Sequence, residues 1–153
     1  MKLLERVFPP AIDSRFPGKK PALYAFYLIT AVTIVRSCIH LFAPDGGAES
    51  IATIPLGSYS PDAAAAVISI FSLWGLSQLL IGMLYLLASL RYHSLIPLFY
   101  LLMAVEYLGR FLIGRAKPIA TAGTAPGAVI NLPIAILAAL LFCLSVNGKE
   151  GRT

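Results

Sequence analysis

The chain has 153 residues, of which 58% are hydrophobic and only 12% charged, with a formal net charge of +5. Soluble domains carry closer to a quarter charged residues, so this chain has too few polar groups to cover a water-soluble globule. A soluble enzyme domain and a disordered adaptor are both excluded. The apolar excess is gathered in four long uncharged or nearly uncharged runs. Each is near the length that crosses ~30 Å of hydrocarbon at ~1.5 Å per residue, which predicts an all-α, integral membrane four-helix bundle of up-down-up-down topology.

Residues 1–21 form a basic tail. Leu3, Leu4, Val7 and Phe8 alternate there with Lys2, Glu5 and Arg6, a short amphipathic turn suited to the membrane surface; a frayed end is the plainer reading. The first span, 22–42, follows Lys19-Lys20-Pro21 and stops at Ala43-Pro44-Asp45-Gly46-Gly47. A cleaved signal peptide is disfavoured, because the apolar run starts late, holds Arg36 and lacks a small-x-small cleavage pattern. Within the following loop, residues 51–56 are apolar enough to fold onto the bilayer as a partial lid or to remain a simple loop.

The second span, 61–90, opens at Ser60-Pro61-Asp62, with Ser60 placed to cap free amides and Pro61 in the first turn. Its roughly 45 Å of helix must tilt or protrude. The turn Arg91-Tyr92-His93-Ser94 is too short for anything but an antiparallel third span, 95–114. The fourth span, 126–146, contains Asn131 and Pro133, ends at Asn147-Gly148, and is followed by the tail 147–153. One membrane domain, 22–146, thus lies between two tails.

Basic residues near spans are retained on the cytoplasmic side. Lys2, Arg6, Arg15, Lys19, Lys20, Arg91, Lys149 and Arg152 flank one side, against Arg115 and Lys117 on the other, so both termini are predicted to be cytoplasmic. This asymmetry accounts for the basic balance without a nucleic-acid partner. Membrane lipids are the expected surroundings. Cys38 and Cys143 fall near opposite ends of their spans, too far apart for a disulfide. There is no CxxC, HExxH, GxGxxG or GxxxxGK pattern, hence no expected metal or cofactor; His40 and His93 lie at opposite ends and cannot clamp one haem.

Charged groups inside a membrane are costly and usually face the bundle interior or water. Arg36 and His40, and likewise Glu106 and Arg110, are spaced i, i+4 and share a helix face. Both pairs fall in the same half of the bilayer, where Gln78 and Asn131 add polar groups from the other two spans. Arg36, His40, Gln78, Glu106, Arg110 and Asn131 are therefore the candidate ligand-binding residues of an outward-opening polar pocket. Two guanidinium groups against one carboxylate favour an anionic or polar amphiphile, such as a lipid or quinone-like molecule. Three alternatives stay open. Glu106 can pair with Arg110 while Arg36 and His40 snorkel outward; the polar groups can be internal glue in a non-catalytic scaffold or accessory subunit; or Glu106 or His40 can act as a general acid or base in a small membrane enzyme.

Ser72, Gly75, Gly82 and Ser89 form a small-residue seam on the second span. It suits close helix approach, either inside the bundle or toward a second copy or another membrane protein. The string Phe71-Ser72-Leu73-Trp74-Gly75-Leu76-Ser77-Gln78, with Gly109-Arg110, Gly114-Arg115, Lys117-Pro118 and Ala125-Pro126-Gly127, resembles small bacterial four-span proteins of the DoxX-like type over residues 65–146. The resemblance implies a compact bundle in the bacterial cytoplasmic (inner) membrane. Quinone-linked thiosulfate oxidation, known in that group, finds no matching redox motif here.

Overall fold

The computed structural model describes residues 3–148. Lys2, Lys149 and Arg152, used above for orientation, lie outside them. Among the described residues the chain is helical, with no strand: α1 (Leu3–Val7), α2 (Lys20–Phe42), α3 (Pro61–Leu90), α4 (Ile96–Ala116) and α5 (Pro126–Val146), with single 3-10 turns at Leu56–Ser58 and His93–Leu95. Four helices, α2 to α5, are long and apolar enough to cross a membrane. The protein is an all-α four-helix bundle. The first span starts slightly earlier than the hydropathy suggests because Pro21 occupies the first helical turn. The third is preceded by the 3-10 turn, which absorbs residue 95. At α3 the Ser60 hydroxyl accepts from the Ala63 amide at 3.3 Å, and α5 continues through Pro133.

The bundle consists of two antiparallel hairpins, α2 against α3 and α4 against α5. Their outer faces carry exposed leucine, isoleucine and valine, including Leu28, Val32, Leu73, Leu80, Val105 and Leu140, as hydrocarbon solvent requires. Lipid supplies no hydrophobic force between helices, so association depends on close packing and polar contacts. The small-residue seam provides that closeness within the chain. A Cβ added to Gly75 would lie 2.8 Å from the His40 backbone carbon and the Leu41 nitrogen, and one on Gly82 would lie 3.0 Å from Ile34 Cγ1. Ser89 Oγ meets Thr30 Oγ1 at 3.2 Å. Gly75, Gly82 and Ser89 of that seam thus face α2 within the bundle.

The two ends are built differently. At the tail end, where α2 and α4 begin and α3 and α5 finish, Phe26 and Tyr100 are fully buried. The Phe26 ring lies 5.3 Å from that of Tyr85, 6.2 Å from Phe99 and 5.4 Å from Tyr100, within the spacing at which aromatic pairs attract. The Tyr100 hydroxyl donates to the Ala22 carbonyl at 2.6 Å, linking α4 to α2.

The amino-terminal tail straps this end. A helix leaves its last four carbonyls without intrahelical donors; at α5 the tail supplies donors to two of them and to Gly148 just beyond. Lys19 N donates to Leu144 O at 3.0 Å, and the Arg6 guanidinium donates to Val146 O and to Gly148 O, a cation at the negative end of the helix dipole. Asp13 and Ser94 exchange two hydrogen bonds, through Asp13 N to Ser94 Oγ at 3.0 Å and Ser94 N to Asp13 O at 3.2 Å. Of the two readings of the tail, a frayed end is not what residues 3–19 adopt. Val7 is buried, whereas Leu3, Leu4 and Phe8 face outward.

At the far end, the apolar loop segment folds onto α3. Ala48, Ile54 and Leu56 are buried against Ala64, Val67, Ile68 and Phe71. The loop is also clasped to its neighbour, with Ala122 N donating to Thr53 O at 2.7 Å and Thr53 Oγ1 to Gly123 O at 3.1 Å.

Candidate functional site

Arg36, on α2, projects across the hairpin seam because Gly75 and Gly82 let α3 approach. Its Nη2 donates to Gln78 Oε1 at 3.1 Å. Gln78 is 5% exposed and uses its amide in both directions, donating from Nε2 to Glu106 Oε1 at 3.0 Å. The same Glu106 oxygen accepts from Arg110 Nε at 3.1 Å and from Arg110 Nη2. A continuous polar chain, Arg36 to Gln78 to Glu106 to Arg110, therefore joins α2, α3 and α4 and bridges the two hairpins. Gln78 serves as its adaptor, since a carboxamide accepts from a cation through its oxygen and donates to a carboxylate through its nitrogen at once.

The i, i+4 spacing seen in the sequence explains the Glu106 and Arg110 half of this chain. Trp74 organises the rest, though it is not among the candidate site residues drawn from the sequence. The Arg110 guanidinium carbon lies 4.8 Å from the Trp74 ring centroid and that of Arg36 lies 5.7 Å from it, both inside cation–π range. Arg110 also lies 5.1 Å from the Tyr107 ring. The available signal was position: Trp74 stands one turn before Gln78 and shares its helix face.

His40 acts one step back. Its Nδ1 donates to the Gly46 carbonyl at 2.8 Å, and the ring packs 4.7 Å from Trp74 and 6.1 Å from Phe71. The turn wraps the imidazole tightly, for a Cβ on Gly47 would meet Nδ1 at 2.8 Å, and Gly47 has φ +75°. His40 is 4% exposed and positions Trp74 and the 43–47 turn. Asn131 is half-buried on α5, and among the described residues its side chain makes no hydrogen bond. The structure thus brings together Arg36, Gln78, Glu106 and Arg110, sets His40 behind them through Trp74, and leaves Asn131 apart.

Two cations and one carboxylate share this cluster, with unequal satisfaction. Glu106 is engaged by Arg110 and Gln78, whereas Arg36 carries five N–H donors and makes one hydrogen bond among the described residues, to a neutral amide. Such an inventory can receive an acceptor group with negative charge. For acid–base chemistry it is less suited: one Glu106 oxygen is already shared by Gln78 and Arg110, and His40 has Nδ1 committed to a backbone carbonyl. Among the described residues no group of three or more His, Cys, Asp or Glu is placed to hold a metal ion, and Cys38 and Cys143 are free thiols. No family model, no curated protein and no solved structure matches the chain.

Proposed function

We propose that this integral membrane protein binds an anionic or strongly polar amphiphile, a lipid or quinone-like molecule, at the far end of the bundle, with Arg36 as the principal contact to its head. The observation that carries the reading is the unequal satisfaction of the two guanidinium groups. Arg110 has a carboxylate of its own, while Arg36 leans on Trp74 and a single amide oxygen. A planar fork with unused donors in low dielectric favours bidentate capture of a carboxylate or phosphate. Trp74 and Tyr107 supply flat apolar surface beside it, which suits the junction of head and tail in an amphiphile. Gln78, Glu106 and Arg110 hold Arg36 in place, and Asn131 belongs to the rim on α5.

Trp74 is the only tryptophan, so its emission reports on the site directly. Purified protein in a neutral detergent is titrated with lysophosphatidic acid and, separately, with uncharged monoolein. Saturable change with the anion and a tenfold or larger loss in Arg36→Leu are expected, the loss matching about 1.5–3 kcal/mol for a hydrogen bond to a charged group. Equal responses to both amphiphiles, or an unchanged titration in Arg36→Leu, would overturn the reading in favour of internal glue in a scaffold subunit. An enzymatic role would require Glu106→Gln to abolish turnover while the fold persists.

We also propose that the tail end is cytoplasmic, in the bacterial inner membrane that the DoxX-like resemblance implies. Arg6, Arg15, Lys19, Lys20 and Arg91 gather there, against Arg115 and Lys117 at the far end, and positive residues stay inside. A topology reporter fused in the loop near Gly46 should read periplasmic; a cytoplasmic signal there would reverse the orientation.

A further inference from the structure

A second site lies at the opposite end of the α2–α3 hairpin, on its lipid-facing side. Between the two helices runs a groove of about 760 Å³, a volume within the roughly 300–1,000 Å³ of small-molecule sites. Ala31, Ile34 and Val35 of α2 and Leu86 and Leu90 of α3 form its walls, and Tyr27 and His93 line its tail-end rim. From Tyr27 to Val35 the groove follows about 12 Å of helix, most of one leaflet's share of a ~30 Å hydrocarbon core.

Two polar side chains lie in it, Thr30 and Ser89, and their protons are already used. Thr30 Oγ1 donates to the Phe26 carbonyl at 2.8 Å, so at the 3.2 Å contact between the two hydroxyls Ser89 is the donor. At the tail-end rim His93 Nδ1 donates to the Ser14 carbonyl at 2.8 Å, and Nε2 lies 2.8 Å from the Ser89 carbonyl and 3.2 Å from the Tyr27 hydroxyl. The floor therefore offers no spare donor to a head group, and what fits along it is hydrocarbon.

Charge at the mouth decides what that hydrocarbon is attached to. Arg91 directly follows the lining residue Leu90 and is exposed, and Lys20, also exposed, precedes Tyr27 by seven residues, hence on the same face two turns nearer the tail end,. Tyr24 stands between them in that face, 61% exposed, a residue type enriched at the head-group level. We propose that the groove seats one acyl chain of an anionic glycerophospholipid from the tail-side leaflet, with the phosphate held by Arg91 and Lys20. The site is separate from the Arg36 cluster and does not depend on it.

Native mass spectrometry of the full chain, with phosphatidylglycerol or phosphatidylcholine of identical chains added, tests this. The measurement is made in an Arg36→Gln background, so that the far-end cluster does not contribute. Phosphatidylglycerol should bind about tenfold more tightly than phosphatidylcholine. Ala31→Phe, which fills the groove from an exposed position, should remove one bound phosphatidylglycerol, and Val35→Phe serves as a second filling variant should the first fold poorly. Combined Lys20→Gln and Arg91→Gln should equalise the two lipids without removing the adduct. Unchanged phosphatidylglycerol binding in both filling variants, or equal affinity for the two lipids before any change at the mouth, would overturn the proposal.

Discussion

The two ends of the bundle solve the same association problem by opposite means. At the tail end, aromatic rings interlock around Phe26, and backbone hydrogen bonds from residues 13–19 close the end of α5 and the α3–α4 turn. At the far end, the hairpins meet through charged and amide groups, and the Arg36 guanidinium makes a single hydrogen bond among the described residues. Ring packing at the tail end is accompanied by hydrogen bonds whose donors and acceptors are matched within the chain. A polar joint with surplus charge is held less completely, and the proposed ligand would draw on that locally lower stability.

The largest separation of the two ends is expected from Phe26→Ala. Deleting a buried phenyl in water costs about 3–5 kcal/mol. Here the unfolded reference is also surrounded by hydrocarbon, so the transfer part falls away and the lost packing remains, leaving about 2–3 kcal/mol. Thermal unfolding in detergent should show that loss, while lysophosphatidic acid binding to the folded protein, read at Trp74, stays intact. Loss of binding at a temperature where the variant is folded would show that the ends are coupled.

Gly75→Ala should act in the reverse sense and with a smaller effect. The added methyl meets backbone atoms of His40 and Leu41 at 2.8 Å, which cannot rotate away, so α2 must shift from α3 at a cost of about 1–3 kcal/mol. Trp74 and Gln78 flank that contact, so a shift in Trp74 emission and weaker anion binding should accompany the loss. Gly82→Ala is the control. Its methyl meets the side-chain atom Ile34 Cγ1 at 3.0 Å, a neighbour that can move, and Trp74 emission should not change.

How far the sequence exposes these features depends on their range. The four spans are legible because apolar runs and Pro, Gly and Ser punctuation are local properties, and the Glu106 and Arg110 pair follows from helical spacing alone. Gln78 as the adaptor between hairpins is partly legible, as a polar residue at matching depth. The role of Trp74 is not, because an indole reads equally well as core, anchor or cation platform until α2 and α4 are placed beside it. Asn131 shows the converse: its depth matches the cluster and it shares a helix face with the buried Ala135 and Ala138,, yet its side chain makes no hydrogen bond among the described residues, which depth and helical face alone do not determine. The tail strap is also hidden, since most of its bonds use backbone atoms that carry no residue signature.

The smallest expected effect separates the ends by pH. Asp45, in the far-end loop, accepts from the amides of Gly47 at 2.9 Å, Glu49 at 3.1 Å and Ser50 at 2.7 Å. Burial alone would raise its carboxyl, but the amides of Ser50, Gly47 and Glu49 outweigh it and hold the pKa at about 2, below the ordinary 3.8. A depressed folded-state value means that the contribution is fully present above about 3.8 and is lost as pH falls through about 2,. With one pKa unit equivalent to ~1.4 kcal/mol and a discount for its partly solvated position, the contribution is about 1 kcal/mol. Asp13, the acid of the tail strap, is also lowered, by the side-chain hydrogen bond from Arg15, but its contacts to Ser94 run through its backbone and survive protonation. Acidification should therefore loosen the 45–50 turn before the strap. The difference in Tm between the wild-type protein and Asp45→Ala should be largest near neutrality and shrink steadily below the ordinary aspartate value, whereas Asp13→Ala should leave the tail docked at every pH; a constant Asp45→Ala difference down to the acid limit would show that the three amides find other acceptors and that the turn does not depend on the carboxylate.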